Sequence, residues 1–597
     1  MNRYTACGTV LVLLLTCALS FAKGGLRSSS ALANTTQARE FYITFPTNLF
    51  EQGIPNNVLD LTCFIASNYN TKGTIQLLGT GNTIIWQQNF AVDAQSVTQI
   101  GIPHQYNNQA EIQDAEDERA ITKAVHITTD MPCVVYGMSH RPFTADGYLA
   151  IPPSSWGTDY RIGGYYGVST TSEAALTKLD VTSELAVVAA QDSTVVNIIL
   201  SAPTRDITNN MTHRAGDLVS VILNKGQIYQ MQSYSDPGGG NYYDLSMTEI
   251  QSSKPVGVFG GSKCANVPVA QSSCDYVIEM MPPIQSWGKE FFTYQFDPAR
   301  KGGDLWRVYP SQNNTTITIN GNKKATISPS DTTSWYETDD LRDSSLKNPA
   351  HWTFNKPVMM MQYITGEQYD GSDQLNPPRG DPSSVVLESP EQFHTNIFCA
   401  LPSDSNGYTN QYLNVFINNG LGPLSDSLYI DGHDIQHLPG APYALLGVLQ
   451  VPNTNYWVLH IQVPGGMHRL QSKNPFSAYA VGFKIYESYA WPCGLSLNVL
   501  GTGDTKPPVL TNNALDCGTL NDTLTDQPDV DSIRSNLAQP GDDSSGIGWV
   551  HQGPYPDTTY NFNDAVLPLT FTPGDSTTQV HIQVTDLRNK AHGAFYA

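Results

Sequence analysis

Four times along the chain the same short phrase returns. It has a polar–apolar start, a short turn, a proline and then an apolar run. It reads HITTDMPCVVYG (His126 to Gly137), EIQSSKPVGVFG (Glu249 to Gly260), WTFNKPVMMMQY (Trp352 to Tyr363) and RLQSKNPFSAYAVG (Arg469 to Gly482). The prolines Pro132, Pro255, Pro357 and Pro475 stand 123, 102 and 118 residues apart. Such a period describes a chain built from copies of one module. A second phrase opens three of the units: AIPPSSWG from Ala150, MMPPIQSWG from Met280 and ESPEQF from Glu388. A third lies inside them, as LAVVAAQDSTVVNI from Leu185 and WRVYPSQNNTTITI from Trp306, with a looser copy from Leu61 to Ile75.

The third phrase is expected to form a β-hairpin. Val187, Val188, Val195 and Val196 are β-branched, Gln191-Asp192-Ser193 between them is turn chemistry, and Thr316 to Ile319 alternate as a half-buried strand does. In the first phrase a proline at or near the first residue of a strand costs little, because its missing N–H is not needed there. Short strands in units near 110 residues indicate an all-β chain of tandem β-sandwich-like repeats. The phase places them at 38–147, 148–276, 277–384 and 385–503. The prolines of DTKPPVLT (Asp504 to Thr511) mark a linker. The segment 504–597, with the alternating VHIQVTD from Val580, reads as an immunoglobulin-like or hyalin-repeat-like β domain, the end of either a truncated chain or a short family member.

Composition agrees. Only 14% of residues are charged, against about 25% in ordinary globular proteins, which argues against long helices. The formal net charge of −22 argues against nucleic-acid partners, whose phosphates are held by clustered Lys and Arg. The first 22 residues have a short basic start at Arg3, an apolar stretch from Cys7 to Leu19 and small residues before Ala22. They read as a signal peptide, too short to span a bilayer. No later segment is apolar enough to span. The expectation is a secreted, extracellular protein.

Cleavage leaves Cys63, Cys133, Cys264, Cys274, Cys399, Cys493 and Cys517. Cys264 and Cys274 are the best local disulfide candidate, and the odd count leaves a thiol for an intermolecular bond. The sequons at Asn34, Asn210, Asn313, Asn314 and Asn521 are candidate glycan sites.

Arg379-Gly380-Asp381 is an integrin-type tripeptide and a candidate adhesion loop, although Pro382 holds Asp381 extended. His433 and His437 beside Asp431 and Asp434 lack a third metal ligand and read as a turn feeding a strand. No G-x-S-x-G elbow occurs, and Gly238-Gly239-Gly240 lacks the Lys-Ser/Thr of a phosphate loop. Acidic pairs such as Asp339-Asp340 and Asp542-Asp543 read as solvated loops. Tyr165-Tyr166, Tyr242-Tyr243 and Tyr486 with Tyr489 are candidates for an exposed protein or sugar platform. No catalytic, cofactor or metal site is assigned.

Several of these patterns, in order, resemble the amino-terminal region of the IgG Fc-binding protein family. They are Asp146 to Trp156 (DGYLAIPPSSW), Val187 to Val195, Lys254 to Gly261 with Cys264, Cys274-Asp275, Gly380 to Phe393 (GDPSSVVLESPEQF), and GMHRLQSKNPFSAYAVGF leading to SYAWPCG (Ser488 to Gly494). The resemblance covers residues 38–503 and implies recognition of extracellular proteins in mucus. The cysteine-rich von Willebrand type D modules that accompany this region in the family are not visible. The expected function is non-catalytic recognition or adhesion, binding extracellular proteins or glycans in mucus, matrix or at cell surfaces. The competing expectation is a secreted glycan-active enzyme or carbohydrate-binding array.

Overall fold

The proline phrase is the middle of one long, bent strand. The computed structural model describes residues 35–500 apart from 50–56, 168–180, 236–241, 270, 272–273, 301, 330–333, 339–346, 372–379, 404–406 and 420–427, and beyond 500 the backbone of strands alone. The signal-peptide expectation lies outside these residues. The long strands are Val125–Arg141, Glu249–Ala265, Ala350–Ile364 and Gly466–Lys484. In each, the residues just before the proline have no ladder partner. In the first repeat the strand pairs through Thr129 with Ala38–Ile43 and Thr71–Gly79. From Val134 it pairs with Asp60–Ser67, and from Tyr136 also with Thr144–Leu149. The same changeover falls between Ser252 and Val256, Phe354 and Val358, and Ser472 and Phe476. Proline belongs at the changeover because there the sheet needs no N–H. The expected position at a strand start is therefore corrected: the phrase spans the bend that folds each sheet into a sandwich-like unit.

The chain is accordingly all-β, with four curled antiparallel sheets in sequence. Each ends in a short, wholly buried strand: Thr144–Leu149, Asp275–Met280, Ser383–Val386 and Glu487–Pro492. These four strands pack against one another in a closed circuit. The first lies beside the second and the fourth, and the third also lies beside the second and the fourth. The repeats thus close around an axis instead of standing in a line. Their cores follow suit: one apolar cluster runs from the first repeat into the fourth, another joins the second and third, and another joins the third and fourth.

The axis has an acidic centre. The Asp146 carboxylate accepts the backbone N–H groups of Gly147 (2.9 Å), Ile278 (3.1 Å) and Ser384 (3.2 Å), and also that of Ala490. Each axial strand therefore gives one donor to one side chain. Packing at the axis is close. Tyr148 lies across Gly137 and Tyr489 across Gly482, where an added Cβ would sit 2.6 and 2.2 Å from ring atoms.

Ring closure ties the start of the described chain to the end of the fourth repeat. Thr35 bridges Ser496, and the Thr36 N–H donates to the Leu495 carbonyl at 3.2 Å. The second phrase forms single 3-10 turns at Pro153–Ser155, Ile284–Ser286 and Pro390–Gln392 on this linker end. Trp156 and Trp287 each return an indole N–H to the carbonyl five residues earlier. Beyond residue 500, the strands Val509–Asn512, Leu520–Thr525 and Val566–Phe571 form one antiparallel sheet. Five others between Ile533 and Tyr596 form a second.

Candidate binding surface at the loop end of the ring

Opposite the linkers, the four hairpin loops that enter the axial strands meet at one end. The Phe143 N–H donates to Glu487 Oε1 (3.4 Å), Gly380 N–H to the Lys484 carbonyl (3.0 Å) and Gly366 N–H to the Val267 carbonyl (2.8 Å). The Ala145 N–H donates to Asp275 Oδ1 at 2.8 Å. First and fourth repeats touch directly, with the Phe143 and Tyr486 ring centroids 6.1 Å apart. Phe143, Ile485 and Tyr486 are 51%, 49% and 38% exposed. Phe143 and Tyr486 hold φ of +68° and +57°, a region unfavourable for aromatic residues. Tight two-residue turns impose this strain, and it turns apolar side chains outward at the rim of the ring.

Beneath them lies a charged network between the same two repeats. His140 Nε2 is 2.9 Å from Glu487 Oε2, and its Nδ1 is 3.6 Å from Asp60. Lys484 Nζ is 2.9 Å from Glu487 Oε2. Burial opposes protonation of His140, but the Asp60 and Glu487 carboxylates outweigh it and lift the imidazole to about 9. His140 is therefore a cation at neutral pH.

The sequence candidates fall out unevenly. Cys264 and Cys274 are joined, with Cα atoms 5.1 Å apart, in the second repeat's loop at this end. Gly380 also lies here, with φ +83° and its N–H on Lys484. Asp381 is only 4% exposed, and Ser488 Oγ donates to its carbonyl. An integrin ligand presents its aspartate to solvent, and this one is turned inward. Arg379 lies outside the described residues, as does Asn34. Asn210 and Asn314 are exposed and Asn313 is half-buried, while the Asn521 side chain lies outside the description.

The expected tyrosine platforms hold in part: Tyr242 and Tyr486 are exposed, and their neighbours are not. Tyr165 and Tyr489 are fully buried. Tyr165, Tyr166, Trp335 and Tyr363 instead surround the Arg307 guanidinium at 3.9, 4.9, 5.3 and 5.6 Å. Its charge is met by Asp244 and Glu337, each at 2.7 Å. The box joins the second and third repeats and is filled by the protein's own cation. His437 pairs with Asp434 (3.5 Å), and His468 with Asp431 (2.8 Å).

The linker end holds one arrangement that sequence reading missed, beside a small cleft lined by Trp287, Glu388, Gln392 and Ser496. Glu388 Oε1 is 3.0 Å from His394 Nε2 and accepts the Ser496 N–H at 2.7 Å, and Ser496 Oγ lies 3.3 Å from His394 Nδ1. The order Ser–His–Glu is that of a hydrolase relay, and the three residues are tied together by hydrogen bonds. Burial opposes the His394 charge, yet Glu388 raises its pKa. The group pins the ring-closing segment at Ser496 to the start of the fourth repeat.

Comparison with known proteins matches the family description "IgGFc binding protein" to residues 146–482, more than half of the chain. The chain belongs to this family. The match begins at the axial carboxylate Asp146 and ends inside the last long strand. A human relative described as "IgGFc-binding protein" is 28% identical over 169 residues, 28% of this chain and 3% of that much longer protein. A solved structure of the eight amino-terminal immunoglobulin domains of Down syndrome cell adhesion molecule aligns at 10% identity. It covers 94% of this chain and 84% of that one with a TM-score of 0.10, too low to carry an argument. Among the described residues, no helix is long and apolar enough to cross a membrane.

Proposed function

We propose that this IgGFc-binding family chain is a secreted, non-catalytic recognition protein that binds an extracellular protein through the loop end of its ring. The observation that carries the reading is the cluster of Phe143, Ile485 and Tyr486. Two loops more than 340 residues apart in sequence bring these exposed apolar side chains together. Aromatic anchors held rigid at low entropy cost are what protein interfaces use as hot spots. The human relative's name makes an immunoglobulin Fc the first ligand to try, with mucus and matrix glycoproteins and free glycans beside it. We read the units 38–147, 148–276, 277–384 and 385–503 as the blades of one binding module, 504–597 as a separate β domain, and Asn210 and Asn314 as glycan-bearing.

The test is biolayer interferometry of the full mature chain against Fc, mucus glycoproteins and a glycan array. The paired variant Phe143→Ala/Tyr486→Ala is measured alongside. Loss of two anchors predicts at least a tenfold weaker Kd, about 1.4 kcal/mol or more. Unchanged affinity of the paired variant would remove the loop end from the account. Product release from a polysaccharide would favour the glycan-active alternative.

A further inference from the structure

We propose that Cys399 and Cys493 form a second intrachain disulfide, closing the fourth repeat upon itself at its axial edge. Cys399 lies in the strand His394–Leu401, and Cys493 follows the axial strand Glu487–Pro492. Three contacts bring these segments together. Trp491 Nε1 donates to the Ala400 carbonyl at 3.2 Å. A Cβ on Gly494 would stand 3.3 Å from the Ile397 side chain. The Tyr136 hydroxyl lies 3.7 Å from Cys399 Sγ and donates to the Cys493 carbonyl at 3.0 Å. The Cys399 thiol is itself the side-chain hydrogen-bond partner of the Cys493 thiol.

Both sulfurs are fully buried. The other two buried thiols have different surroundings: Cys133 donates to the Met131 carbonyl, and Cys63 pairs across the sheet with Gly137 and Ile100. Among the described residues, only Cys399 and Cys493 of the four free cysteines are placed as a pair. Adjacent thiols in an oxidising compartment are converted to a disulfide unless geometry forbids it. The reaction forms one S–S bond. Two thiol protons and two electrons leave, and an external disulfide of the glutathione or oxidoreductase class accepts them and becomes two thiols. Sealing the pair before folding is complete explains why they need no surface access afterwards.

In the cell this rests on the secretion reading, so the test supplies its own oxidant. The full mature chain is refolded in a buffer of reduced and oxidised glutathione. It is then unfolded in guanidinium with N-ethylmaleimide, digested without reductant and weighed by mass spectrometry. The Cys264–Cys274 link in the same digest shows that oxidant reached the chain, and secretion is scored separately from the culture medium. The expected result is a linked Cys399–Cys493 peptide pair, free of maleimide and released by reduction. In Cys399→Ser, maleimide then appears on Cys493 alone of the two positions. Maleimide on both cysteines of the natural chain, with Cys264–Cys274 still linked, overturns the proposal. A link from either one to Cys63 or Cys133 does so as well.

Discussion

Replacing Asp146 by Asn tests the axial hub at its narrowest point. The carboxylate gives Oδ1 to the Gly147 N–H and Oδ2 to those of Ile278 and Ser384, with Ala490 as the fourth donor. An amide keeps one acceptor oxygen and sets an NH2 group against N–H donors on the other side. At least one backbone donor from another strand, or the neighbouring Gly147 N–H, then loses its partner in a fully buried site. A buried unsatisfied donor costs about 1–3 kcal/mol, more where a charge-assisted bond is lost. The expected loss is about 2–4 kcal/mol. Asp146→Ala strips all four donors, and its expected cost of about 4–12 kcal/mol approaches the whole stability of a typical fold. That variant is expected in the insoluble fraction. Urea unfolding followed by tryptophan fluorescence reads the effect, because Trp491 packs within about 3 Å of the position a Gly147 Cβ would take. Asp93→Asn, at an exposed carboxylate, is the control and leaves the midpoint in place. An Asp146→Asn midpoint within about 0.5 kcal/mol of the parent would refute the hub.

Other consequences follow from the junctions. His140 is lifted to about 9, above its usual 6.5 or so, so its stabilisation is complete below about pH 6.5 and fades as pH rises through 9. The parent is expected to lose about 2–3 kcal/mol between pH 7 and 9.5, and His140→Gln to show a flatter profile; equal profiles would contradict the assignment. Arg307→Ala leaves Asp244 buried without its cation and is expected to cost about 3–5 kcal/mol. Arg307→Lys does not restore it, since an ammonium cannot reach Asp244 and Glu337 through the same fork, and a thermal melt distinguishes the three proteins. His460, beside Asn414 and stacked on Tyr412, is held neutral by burial, down to about 4. Acidification from pH 6.5 towards 4 therefore costs stability, and His460→Gln is expected to reduce that slope.

The four-fold phase was legible because each proline phrase must build the same bend. The strands at Leu185 and Trp306 were legible in local alternation, but their pairing was not. The expected hairpins are corrected: Ser183–Ala189 and Leu305–Pro310 pair with the long strand beyond its proline, and Thr194–Ile199 and Thr315–Ile319 pair with it before the proline, so the two strands of each phrase do not pair with each other. What the proline phrase could not show is that one strand runs through the proline: the pattern changes there from alternating to continuously apolar, which reads as two separate strands. Ring closure was hidden for a related reason. It rests on short axial strands such as SSVV, and on one buried Asp146 inside a phrase that reads as a hydrophilic turn. The tyrosine pairs misled because Tyr serves core and surface alike. Arg307 lies inside the phrase that starts at Trp306, and nothing in that phrase showed that it would fill their box. Tyr486 was marked in sequence through Tyr489, but Phe143 had no such sign, and only the closed ring makes Phe143 and Tyr486 a patch.

The binding surface exists only if the first and fourth repeats meet, and a short cross-link measures that directly. Phe143→Cys and Tyr486→Cys place two exposed thiols where the parent rings stand 6.1 Å apart. The remaining described free cysteines are buried. A short bis-maleimide added to the dilute native chain is expected to join the two positions within one molecule, at a yield independent of protein concentration. A linear array would hold these positions two whole repeats apart. Cross-links that form only between molecules, or not at all, would contradict the closed ring and the recognition surface built on it.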